Sequence, residues 1–179
     1  KVLKTILLST LLVLILFSCS KAEVTEVIEE EEEIVLDDTD FEATDWTTET
    51  HSKDADPNFD EVFEDNAVKR LDFVITEARW QNMLDDMTAT YGAFGGGNSG
   101  PGLVDTDENP IFVPGEVFYE GKQWYRVGLR FKGNSSLQTS WKNGILKLSF
   151  KLDFDEFEDD YPQIKNQRFY GFKKLSLKN

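Results

Sequence analysis

Charge is spread so unevenly along this 179-residue chain that only part of it can be expected to build a core. Residues 23–65 hold nineteen acidic side chains against one base, Lys53, whereas residues 66–179 hold fifteen of each sign. Apart from small offsets near the start, the net charge of −15 therefore belongs to the first third of the chain. A segment containing the run Glu29 to Glu33 repels itself and has too little apolar surface to offset the entropy of ordering. Residues 20–57 are accordingly expected to form a disordered acidic tether. His51, the sole histidine, falls inside it, so neither a ligand nor a catalytic role is expected of it. The remainder is electrically balanced and carries no basic stripe, which excludes the usual footprint of a nucleic-acid partner.

Ahead of the acidic segment, Lys1 and Lys4 precede an almost wholly apolar run, Ile6 to Phe17. That run is shorter than the roughly 20 residues a membrane-spanning helix needs and has the length of a signal-peptide core. It closes on Leu16-Phe17-Ser18-Cys19, with an aliphatic residue three before the cysteine and a small one just ahead of it. The pattern resembles the bacterial lipobox, whose cysteine is acylated. Residues 1–19 then read as a lipoprotein signal peptide, with Cys19 carrying the lipid. The expected location is extracytoplasmic, anchored to a bacterial membrane (the outer membrane by preference), on its periplasmic or its surface side. Cys19 is the only cysteine, so no thiol remains for a disulfide, a metal cluster or nucleophilic catalysis. The chain starts without Met and stops at Asn179 directly after an alternating apolar run, so a fragment of a longer protein is expected.

Between residues 58 and 179 the hydrophobic periodicity predicts an α+β fold, a mostly antiparallel sheet with few helices. Ala67 to Ile75 alternates, with Leu71, Phe73 and Ile75 on the apolar side. Thr76 can cap a helix whose Trp80, Met83, Leu84 and Met87 form one stripe. Glu116 to Tyr119 and Gln123 to Lys132, joined at Glu120-Gly121, read as a hairpin. Ile145 to Phe154 is the clearest strand, and Phe169 to Leu177 opens another. The six glycines between Tyr91 and Gly102 follow a helix rather than a strand, so they read as a flexible surface insertion rather than a phosphate loop.

The stretch with chemical potential runs from Val127 to Ser136 and continues in the strand of Lys147. A strand leads into a small-residue turn offering amides and hydroxyls, beside a second strand with cations on one face, an arrangement able to hold a polyanion. The segments Arg130-Phe131-Lys132-Gly133-Asn134-Ser135-Ser136, Lys147-Leu148-Ser149-Phe150-Lys151-Leu152 and Phe169-Tyr170-Gly171-Phe172-Lys173-Lys174-Leu175-Ser176-Leu177 resemble, in order, the CotH family of spore-coat-protein-H-like atypical kinases. The opening Val62-Phe63, Val68 to Ile75 and Trp80 is also similar to that family's start. The resemblance covers only the first part of the family domain, here 58–179. It implies a divergent protein-kinase-like fold that binds ATP and Mg2+ and phosphorylates protein hydroxyls. Arg130, Gly133, Ser135, Ser136 and Lys147 would then lie at the cofactor phosphates, with Lys151 competing for the role of Lys147. The family pattern often carries a basic pair before this strand, and here Leu148 stands in place of the second cation. Catalytic and metal-binding carboxylates would lie beyond Asn179. The rival expectation is an extracytoplasmic carbohydrate- or protein-binding module that stacks ligands on Trp124, Tyr125 and Trp141. Calcium on the acids from Asp153 to Asp160, or on the Asp105 to Asn109 cluster, is a third. The lipobox predicts that the precursor, expressed in a bacterium, is labelled by radioactive palmitate. Cys19→Ala is expected to abolish the label, and a labelled variant would contradict the anchor.

Overall fold

The computed structural model describes residues 40–64, 66–97 and 109–178, within the compact unit spanning 37–179. The signal region, Cys19 and residues 20–39 of the tether lie outside the described residues. In chain order the elements are helices α1 (Thr48–His51) and α2 (Phe59–Phe63), strand β1 (Asp72–Val74) and helix α3 (Glu77–Tyr91). Strands β2 (Val113–Tyr119) and β3 (Lys122–Lys132), helix α4 (Ser135–Lys142) and strand β4 (Ser149–Asp153) follow, and a 3-10 turn at Pro162–Ile164 precedes β5 (Lys174–Leu177). The strands form one antiparallel sheet in the order β1-β2-β3-β4-β5. The fold is α+β with few helices, as the periodicity predicts.

Side chains opposite one another in an antiparallel ladder share a face, so the register defines the core. Phe73 lies opposite Val117, Val117 opposite Trp124, Leu129 opposite Val113 and Leu152, and Phe131 opposite Phe150. Leu152 continues the row to Leu175. Across this face lies α3, which starts where the Thr76 hydroxyl accepts from the Arg79 amide at 3.4 Å. Its stripe behaves as expected: Met83 and Met87 are buried, Leu84 is half-buried, and Trp80 meets Phe131 edge-on at 5.6 Å. The β2–β3 turn places Glu120 and Gly121 at φ 47° and 76°, the left-handed pair that a two-residue hairpin requires. A bulge at Arg126 (φ 47°) shifts the register, and the Arg126–Glu116 ion pair holds it.

Three expected strands are shorter than their patterns, and of Ala67 to Ile75 only Asp72–Val74 pairs, as β1. Ile145 and Leu146 are half exposed and stand outside β4. β3 turns away after Lys132, leaving these residues no ladder, and the Ile145 amide instead donates to the Ser140 carbonyl at the end of α4. Phe169 and Phe172 close a tight turn on each other, so β5 begins only at Lys174.

The larger correction concerns residues 40–57, which the acidic composition assigns to the tether. They are packed on the hairpin. Phe41 stacks on Tyr125 at 5.5 Å, the Asp45 carboxylate accepts from the Gln123 amide at 3.0 Å, and Ser52 bridges to Gln167. His51 is completely buried and stacks on Trp124 at 4.5 Å. Its Nε2 lies 2.8 Å from the Gln123 carbonyl oxygen, which can only accept, so that nitrogen carries the proton. Nδ1 is then left to accept from the Thr50 hydroxyl at 2.6 Å. Gly171 seals the far end: at φ 84°, a Cβ there would meet Asp56 and Pro57 backbone atoms at 2.6 Å. Composition misses this strap because individual aromatic rings hold it, with no periodic face.

Burial pushes the His51 imidazole below its ordinary pKa, assisted by Lys122 and opposed by the Gln123 carbonyl and Asp45. The unfolded chain, titrating near 6.5, then takes up a proton more readily than the folded one, so this contribution is complete above about pH 6.5 and is lost as pH falls below it. Lowering the pH from 7.5 to 5.5 should depress the Tm more steeply in this chain than in His51→Gln. Equal slopes would contradict a neutral, buried imidazole.

Candidate functional site

β3 delivers Lys132 to its end, and the chain then reverses at Gly133 into α4. Gly133 sits at φ 132°, and a Cβ there would lie 3.0 Å from Ser136 Oγ and 3.2 Å from Leu137 Cβ. The turn therefore requires glycine, and it brings the first turn of α4 close to the end of the strand. Asn134 precedes the helix without a side-chain capping bond. The expected turn Gly133-Asn134-Ser135-Ser136 is thus a strand-to-helix junction.

Lys132 pairs in register with Ser149, the first residue of β4. The segment before β4 returns Lys147 alongside α4, and a cleft of about 100 Å³ opens between them. Its walls are Lys132, Ser136, Ser140, Lys147 and Ser149, closed behind by Leu137 and Leu148. Among the described residues neither lysine has a carboxylate partner. Two ammonium groups bordering one small concavity repel each other unless an anion lies between them. The hydroxyls around them can donate to the same anion.

Of the residues expected at the phosphates, the structure brings together Ser136 and Lys147. Gly133 shapes the junction. Ser135, the exposed first residue of α4, and Arg130 do not line the cleft. Arg130 is buried, its guanidinium 5.1 Å from the Phe112 ring centroid and its Nη1 donating to the Phe131 carbonyl at 3.3 Å. Burial lowers its pKa, against the charges of Glu156 and Asp153. Lys151 lies opposite Arg130 and Ser176 in the sheet and does not reach the cleft either. Lys132 and Ser140 were not singled out by sequence. Ser140 stands one helical turn after Ser136, but that spacing means something only once α4 is known to begin at Ser135.

The acidic stretch after β4 is taken up by cations. Asp153 is buried and paired with Lys174 at 2.5 Å, a hydrogen bond that raises the lysine's pKa. Asp155 binds Arg168 at 2.6 Å and Lys173 at 2.9 Å. Burial would raise the Asp155 pKa, but hydrogen bonds from Lys173 and Arg168 hold it below the ordinary value. Burial, with a hydrogen bond to Asp153, pushes Glu156 up. Among the described residues no group of three or more His, Cys, Asp or Glu side chains could hold a metal ion. The acids from Asp153 to Asp160 therefore do not form the expected calcium site. Residues 105–108 lie outside the description. Of the glycine run, the described part ends at Gly97 and packs on α4. The Gly95 and Gly97 amides donate to the Trp141 and Lys142 carbonyls at 3.0 and 2.9 Å, satisfying the end of α4.

No family model, no curated protein and no solved structure matches this chain.

Gly133→Ala would force a side chain into a left-handed backbone and against Ser136 and Leu137. It should destabilise the fold by about 1–3 kcal/mol, read as a lower denaturation midpoint. An unchanged midpoint would contradict the constrained junction.

Proposed function

We propose that this chain is the amino-terminal part of a lipid-anchored, extracytoplasmic CotH-like protein kinase, and that its cleft receives phosphate oxygens of ATP. The observation that carries this reading is the meeting of Lys132 and Lys147 without a carboxylate between them, ringed by Ser136, Ser140 and Ser149. The ammonium groups neutralise phosphate charge and the hydroxyls orient its oxygens. Positioning and charge stabilisation are the larger part of phosphoryl-transfer catalysis. Magnesium, which supplies charge neutralisation in kinases, finds no matching carboxylate set among the described residues. No described residue is assigned as the base that accepts the substrate hydroxyl's proton.

The rival module loses the platforms on which it would act. Trp124, Tyr125 and Trp141 are all buried. Trp124 Nε1 donates to the Arg168 carbonyl and Trp141 Nε1 to the Gly92 carbonyl, so these rings serve the core.

Lys147 is exposed and outside every strand, so its truncation tests the site without disturbing the core. A charge-assisted hydrogen bond contributes about 1.5–3 kcal/mol. Lys147→Ala should therefore weaken ATP binding, measured by calorimetry, by about tenfold or more with an unchanged Tm. Unaltered affinity would remove the lysine from the site.

A further inference from the structure

We propose that the Lys132–Lys147 cleft takes one phosphomonoester group and nothing more of its ligand, an inference that rests on the phosphate reading above. Size is the first reason. At about 100 Å³ the cleft is far below the volume of pockets that enclose whole cofactors, roughly 300 Å³ and upward. A cleft of that size suits one tetrahedral oxyanion better than a folded triphosphate.

Charge is the second reason. A terminal phosphomonoester is close to a dianion above its second pKa of about 6, and two lysines without carboxylate partners among the described residues match that charge. Wall chemistry is the third. Ser136, Ser140 and Ser149 line the cleft beside the lysines, while the rest of the lining, Leu137 and Leu148, is aliphatic and offers neither an aromatic stack nor a side-chain partner for a base edge. Adenosine and the inner phosphates of a nucleotide would therefore remain outside. The same recognition serves a nucleotide's terminal phosphate, free phosphate or a phosphorylated serine.

Calorimetry on the intact chain, titrated with inorganic phosphate, phosphoserine, AMP, ATP and adenosine, separates these sources. Dissociation constants for the four phosphate compounds are expected to agree within about tenfold. Adenosine should give no heat, and Lys132→Ala and Lys147→Ala should each weaken all four about tenfold or more with unchanged Tm. ATP binding more than tenfold tighter than phosphate, and still lysine-dependent, would overturn the single-group inference while leaving the ATP reading standing. Phosphate and phosphoserine binding without ATP would support the inference and overturn the ATP reading. No binding by any of the four, or binding that both lysine variants retain, would overturn both.

Discussion

The register of β3 is the constraint on which the rest depends. This eleven-residue strand pairs with β2 on one side and β4 on the other. Leu129 and Phe131 enter the core beneath α3, while Lys132 and the buried Arg130 lie on the opposite face. Because strand side chains alternate, a slip of one residue would turn Lys132 towards the core and Phe131 out of it. One pairing choice thus sets the core and the cleft together. The Arg126 bulge separates its two ends. Before it, Trp124 serves the stack with His51 and Phe169, and after it the strand runs without interruption to the glycine that starts α4.

At its opposite ends β3 supports two different kinds of order. Near Trp124 the structure is aromatic and dry: Phe169 packs on Trp124 at 4.6 Å and on Phe154 at 5.3 Å. The buried Gln167 amide there is fully bonded, accepting from the Tyr125 amide and donating to the Tyr125 and Phe154 carbonyls, which keeps the penalty of burying it low. Near Lys132 the surface is open and cationic. Asp153 and Asp155, at and just beyond the end of β4 opposite Ser149, are held by Lys174 and by Arg168 and Lys173. That separation of charge, more than any single residue, leaves the cleft able to attract an anion.

How much of this was legible in the sequence varies with the kind of interaction. α3 was legible because its cap and its stripe are local, written in Thr76 and in the spacing of Trp80, Met83, Leu84 and Met87. The hairpin was legible because Glu120-Gly121 satisfies a two-residue turn. The strap was not: Phe41 and His51 find their rings on the distant Tyr125 and Trp124, with Trp46 set against His51, and nothing in the acidic segment shows the two hairpin partners. Trp124 and Trp141 looked like ligand platforms because a sequence cannot show which face of a tryptophan is already covered. The cleft was half legible. Ser136 and Lys147 follow from the order of segments, whereas Lys132 and Ser140 depend on the pairing with Ser149 and on a helix whose start is set by one left-handed glycine.

The central claim is that Lys132 and Lys147 face one anion. Amide chemical-shift mapping by NMR tests it most directly, with the labelled chain titrated with inorganic phosphate at neutral pH. The account predicts saturable shifts concentrated at Lys132, Ser136, Ser140, Lys147 and Ser149, with the strap residues around His51 unmoved. Shifts absent from those five positions, or centred on Arg130 and Lys151 across the sheet, would contradict it.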